Sequence, residues 1–211
     1  MNKEIILTPE ELYYLGGLMQ ARYIDYAYVS AIRDTKKSYK LIAQESKAKL
    51  VDAGILMEDF GGDLELDANV RQLLAPIFYG EYETTLDVCK VGNEKSAIQV
   101  CKFHFYDGMI TMVTAQQGKL EIKTIDQLVL RQLVESLVPA GYAAETCQIT
   151  EQLDVTITRL IVAKNILVGR RSTVATFLDA DNVLYQEQDE GVRSLSKDDF
   201  ISTVYDIIKG V

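Results

Sequence analysis

One ordered series of elements occurs twice in the later part of this chain, and it restricts the fold more than any other feature. The first copy opens with Ile98 to Phe105, where apolar and polar residues alternate as in a half-buried strand. Asp107-Gly108 then makes a tight hairpin, Met109 to Thr114 is the return strand, and Gln117-Gly118 is a second turn. A short strand at Leu120-Glu121-Ile122 follows. Thr124-Ile125-Asp126-Gln127 reads as a capping box opening a helix to about Val138, stopped by Pro139. The second copy has Thr173 to Leu178 as a strand, Asp179 to Asn182 as a turn, and Val183-Leu184-Tyr185 as the return strand. Glu190-Gly191 turns again, Val192 to Leu195 is a short strand, and Ser196 to Asp199 caps a helix from Phe200 to Ile208. The offset between copies is roughly 72 residues. Repetition of this kind predicts an α+β fold: an antiparallel β-sheet with flanking helices and a pseudo-two-fold repeat of a ββ(β)α unit.

What precedes the repeat is helical. Thr8-Pro9-Glu10-Glu11 combines a cap, a first-turn proline and a capping-box glutamate ahead of Leu12, Leu15 and Leu18. Gly16-Gly17 either weakens that helix or marks a close packing point. Tyr13, Tyr14, Tyr23, Tyr26 and Tyr28 make the next stretch tyrosine-rich, which suits a protein interface and equally suits a half-buried face. A second helix is predicted from Lys36 to Ala53 with Gly54 as its stop, then Ile55-Leu56-Met57, a turn over Asp59 to Asp63, and Leu64-Glu65-Leu66. Asp67 caps a third helix, predicted to run through Leu74 and to stop before Pro76. Helices followed by a short hairpin describe a winged-helix-like lobe. A strand at Leu86 to Val91 and a turn at Gly92 to Lys95 lead into the first copy. The predicted organisation is a single domain over 1–211. It comprises an N-terminal helical lobe (1–78), the first unit (79–140), and a linking segment with the second unit (141–211). Within the linking segment, Leu153 to Leu167 is amphipathic and its length favours a helix, although Val155 to Thr158 has β character.

Composition excludes several functions. Hydrophobic residues form 48% of the chain, enough for a packed core. The formal charge of −9 opposes contact with phosphates. The densest basic piece is Lys36-Lys37 with Arg33 and Lys40, while the presumed wing carries Glu58, Asp59, Asp63, Glu65 and Asp67. No nucleic-acid partner is therefore expected. Cys89, Cys101 and Cys147 form neither an even set nor a CxxC motif, as in a reducing compartment. The apolar run near the N-terminus is three residues, and nothing approaches a membrane span, so a cytoplasmic protein without membrane insertion is expected.

Catalytic signatures are missing. There is no phosphate-binding glycine loop, no nucleophile elbow and no metal-ligand spacing. The single histidine, His104, stands mid-strand on the face opposite Phe103 and Phe105, with no partner legible in the sequence; it reads as a surface or interface residue. No catalytic residue, cofactor or metal is predicted. A protein partner is, because the first hairpin offers adaptable apolar area at His104, Phe105, Tyr106, Asp107, Gly108, Met109 and Met112. Asp179 and Asp181 occupy the equivalent turn of the second copy.

The order of these segments resembles that of the EspG-type chaperones of type VII (ESX) secretion. The resemblance is carried by Leu7-Thr8-Pro9-Glu10-Glu11-Leu12 with Leu15, by Ala48-x-Leu50-x-x-x-Gly54-Ile55-Leu56, and by Gly62-Asp63-Leu64-Glu65-Leu66-Asp67. Leu73-Leu74, the paired strands, the capped helix at 124–137 and a second half of similar plan continue it. The chain is shorter than a typical mycobacterial EspG and so looks like a compact relative encoded with LXG or WXG-type effectors in Gram-positive bacteria. The resemblance implies a non-enzymatic cytosolic chaperone that keeps a helical effector, or its small helical companion, soluble and export-competent. Acidic charge and small size also suit an immunity protein that neutralises a secreted toxin.

Overall fold

The N-terminal helix begins where the sequence places it. Thr8 accepts a hydrogen bond from the Glu11 amide, and the Glu11 carboxylate accepts one from the Thr8 amide at 2.8 Å. Both groups satisfy amides that the first helical turn would otherwise leave unpaired. The structure is a computed structural model and describes residues 4–80, 82–91, 98–142, 149–150, 156–167, 173–189 and 191–210.

In chain order the elements are β1 (Glu4–Leu7), α1 (Pro9–Leu18), α2 (Tyr26–Asp34), α3 (Tyr39–Asp52), β2 (Leu56–Glu58), β3 (Leu64–Leu66) and α4 (Ala68–Tyr79). There follow β4 (Tyr82–Lys90), β5 (Ile98–Tyr106), β6 (Met109–Gln116), β7 (Lys119–Ile125) and α5 (Gln127–Glu135). The last elements are β8 (Ile149–Thr150), β9 (Ile157–Leu167), β10 (Thr173–Ala180), β11 (Val183–Gln188), β12 (Gly191–Ser194) and α6 (Lys197–Lys209). The repeat is present in this order: four strands and a helix (β4 to α5), then four strands and a helix (β9 to α6). The expected α+β class, a large antiparallel sheet with flanking helices, is what the chain forms.

The chain divides into two compact units, residues 1–81 with 104–125, and 82–103 with 126–211. In the first, β1, β7 and β6 are neighbours, followed by the end of β5. Its core gathers Leu12 and Leu15 of α1, Leu50 of α3, Leu73, Leu74, Ile77 and Phe78 of α4, and Val113 and Ile122 of the strands. Strands β2 and β3 form the short hairpin after α3, and Gly54 (φ +69) supplies the left-handed residue just beyond the α3 cap.

In the second unit the strand order is β5-β4-β9-β10-β11-β12-β8. Helix α6 lies on β9, β4 and β10, and against α5. Phe177 of β10 and Phe200 of α6 are both fully buried and meet edge to face, with ring centroids 5.1 Å apart. Asn165 of β9 donates to the Ile207 carbonyl at 3.0 Å, and Gly210 (φ +72) closes α6.

Several expectations are corrected. Leu153 to Leu167 contributes strand β9 over Ile157–Leu167, not a helix; residues 153–155 lie outside those described. Ile161, Ala163 and Asn165 alternate on one face, and the backbone is paired on both sides, to β4 and to β10. Leu160 and Val162 on the opposite face are half-buried but also apolar, so Leu160 to Ala163 is an unbroken apolar run, which periodicity does not separate from a buried helix. Helix α4 does not stop before Pro76 but continues through it to Tyr79. Leu73, Leu74, Ile77 and Phe78 are all buried, and the Thr111 hydroxyl donates to the Leu73 carbonyl at 2.9 Å. That burial offsets the ~3 kcal/mol an interior proline costs. Asp126, not Thr124, caps α5: it accepts from the Val129 amide, while Thr124 is still in β7. The turn of the second copy is Asp181-Asn182, and Asp179 lies within β10. The turn expected at 92–95 and Glu190 fall outside the described residues.

Candidate functional site

The β5–β6 hairpin of the first unit is built by its turn. Asp107 (φ +48) and Gly108 (φ +74) are the only residues between the strands, and positive φ at both is what a two-residue turn matching strand twist requires. Nothing lies within 4 Å of the place where a Cβ on Gly108 would be, so the tip is open. Tyr106 is 41% exposed, and its ring sits 5.8 Å from that of Tyr79. Phe105 and Met109 are half-buried, and Asp107 and Gly108 are exposed. The tip therefore presents an aromatic ring, a thioether and one carboxylate, a surface suited to contact.

Three of the nine residues singled out in the sequence sit elsewhere than a contact surface requires. His104 is buried, and its Nε2 is 2.7 Å from the Tyr28 hydroxyl. Tyr28 of α2 meets the imidazole there, so the expectation of a surface or interface histidine is corrected: the residue is buried. Met112 is buried at mid-strand in β6, flanked by the buried Thr111 and Val113. Asp179 is buried in the second unit, its Oδ2 2.7 Å from Arg159 Nε, while Arg159 also donates to the Leu137 carbonyl. Asp181, by contrast, is exposed at the β10–β11 turn, where Asp181 (φ +51) and Asn182 (φ +62) reproduce the two-residue geometry.

A second concave surface of the first unit combines residues that sequence reading did not join. The C-terminal half of α1, the segment after it and the first turns of α3 enclose a pocket of about 400 Å³. Tyr13, Gly17, Ile24, Tyr39, Ile42 and Ala43 are among its lining residues. The rings of Tyr13 and Tyr39 stand 5.9 Å apart at its mouth, 39% and 65% exposed. Gly16 allows the segment after α1 to close down: a Cβ there would collide with Ile24 and come within 3.2 Å of Phe78. The tyrosine-rich run signalled part of this surface; Tyr39 stands outside that run, and only the packing of α1 on α3 brings it in.

The described residues contain no group of three or more His, Cys, Asp or Glu side chains placed to hold a metal. Among them, no helix is long and apolar enough to cross a membrane.

No family model matches the chain, and no curated protein does. Among solved structures, it matches the type VII secretion system chaperone EspG5 of Mycobacterium tuberculosis, determined in complex with a PE25-PPE41 dimer. The superposition has a TM-score of 0.63 and covers 97% of this chain and 96% of that one, at 11% sequence identity. The chain has the EspG5 fold. At that identity the likeness to EspG5 is one of architecture, and it extends over nearly the whole length of both chains. The fold expected from the resemblance to EspG-type proteins is the one observed.

Proposed function

We propose that this protein is a non-enzymatic cytosolic adaptor that holds a helical type VII secretion substrate, an LXG or WXG-type effector or its small helical companion, and keeps it soluble and export-competent. The observation that carries this reading is the end-to-end match to EspG5, a chaperone solved with its protein partner bound. The site chemistry supports it. Tyr106, Asp107 and Met109 form an open hairpin tip suited to a client's apolar surface, and Asp181 marks the equivalent turn of the second unit. His104, Met112 and Asp179 support these strands from within. A client held through aromatic and thioether contacts loses exposed apolar surface, which is what solubility before export demands.

Co-expression with the helical targeting region of a neighbouring LXG or WXG-type effector tests the reading. A soluble complex should form, and limited proteolysis should show the targeting region protected while any toxin domain stays active. No complex with that region rejects the proposal. Protection and inhibition of the toxin domain instead would assign the protein an immunity role.

A further inference from the structure

The pocket between α1 and α3 is lined in part by a stretch of chain whose charge is opposite to that of the whole. From Gln20 to Ala43 there are five cationic side chains and two carboxylates, against a formal charge of −9 overall. Arg22 adjoins the lining residue Ala21, Lys40 adjoins Tyr39, and Lys36 lies three positions before Tyr39; all three cations are exposed. Two further cations are already engaged. Lys37 Nζ is 2.6 Å from the Glu45 carboxylate, and that hydrogen bond holds its ammonium above the ordinary range. Arg33 stacks over the Tyr26 ring at 5.1 Å. Glu10 and Glu45 are the carboxylates that act on Lys37. Of the two carboxylates between Gln20 and Ala43, Asp25 and Asp34, the first is buried and accepts from the Ala27 amide as the cap of α2.

We propose that this groove is a second docking site, one that takes an acidic amphipathic helix from a protein partner, with an apolar side chain seated between Tyr13 and Tyr39 and carboxylates facing Arg22, Lys36 and Lys40. The charge complementarity selects the occupant. A pocket of about 400 Å³ lined by Ile24, Ile42, Ala43 and the Tyr13 and Tyr39 rings wants apolar atoms, and the exposed cations next to its lining residues in the chain want negative charge beside them. Duplex DNA satisfies those cations alone. It cannot fill an apolar floor, and the neighbouring β2–β3 hairpin carries Glu58, Asp59, Asp63 and Glu65, which repel phosphate. The proposal does not depend on the secretion reading, because it concerns a different surface from the β5–β6 hairpin.

A displayed library of helical peptides of about 16 residues, unbiased in charge, is selected on the full chain. The peptides recovered should share an apolar stripe at helical spacing and an excess of Asp and Glu. Measured by fluorescence anisotropy, they should bind at least about tenfold more weakly to Tyr39→Ala and to Lys40→Glu, and more weakly as salt rises. Both substituted side chains are exposed, so unchanged thermal melting of the variants separates lost contact from lost folding. Recovery of neutral or basic peptides, equal binding to both variants, or no enrichment at all overturns the proposal. So does a concentration-dependent dimer abolished by Tyr39→Ala, which would give the groove to a second copy of the chain. Retention of duplex DNA weakened by Lys40→Glu but not by Tyr39→Ala overturns it too.

Discussion

The Tyr28 hydroxyl and His104 Nε2 meet at 2.7 Å in a buried contact that ties α2 to the end of β5. Their ring centroids are 5.8 Å apart, so the pair combines a hydrogen bond with aromatic packing. Tyr28→Phe keeps the packing and leaves the imidazole nitrogen without that partner, a loss of about 1–2 kcal/mol. Chemical denaturation of the variant should show a lower midpoint with an unchanged slope; an unshifted midpoint would remove this contact from the stability of the unit.

Adjacent glycines in α1 should respond in opposite directions. A methyl at Gly16 meets Ile24 and the fully buried Phe78, so Gly16→Ala should destabilise by about 1–3 kcal/mol through overpacking. Nothing lies within 4 Å of a Cβ at Gly17, so Gly17→Ala should raise stability by about 0.5–1 kcal/mol through helix propensity. Melting temperatures that move the same way for both variants contradict this assignment.

Asp179 is a structural residue of β10. Its carboxylate and the Leu137 carbonyl share the Arg159 guanidinium, with both contacts at 2.7 Å. Asp179→Asn leaves that cation, which is 21% exposed, without its counter-charge and should lower stability by about 2–3 kcal/mol. Asp181→Asn, at the exposed turn, should change stability by no more than about 0.5 kcal/mol. A pair of denaturation curves decides, and equal effects would sink the distinction.

Tyr106 should matter to binding more than to folding. It is 41% exposed beside an open turn, so Tyr106→Ala should weaken affinity for the co-expressed helical client by about tenfold or more, the loss expected of an aromatic anchor. Calorimetric titration measures this, and circular dichroism confirms the fold. Unchanged affinity would move the client surface away from this hairpin.

Much of the architecture was legible because it is local. The Thr8 and Ser196 caps, the left-handed Gly54, and the turns at Asp107-Gly108 and Gln117-Gly118 depend on a few adjacent residues, and the sequence names those residues. So does the recurrence of strands and a capped helix, since alternation and capping are read within one segment. Residues 157–167 and Pro76 misled for the converse reason. Strand β9 is fixed by neighbours on both sides, and α4 persists past its proline because Ile77 and Phe78 are drawn into a core assembled from distant segments.

The sequence by itself determined where the chain turns, where helices begin and which residue types are available for contact. The tertiary structure decided which of those residues are accessible. It placed His104 inside, against Tyr28 of α2, and it brought Tyr39 of α3 beside Tyr13 of α1 to make a groove. Turns and caps are set by interactions over a few residues. Burial depends on which remote segment covers a face, and alternation along a strand carries no information about that.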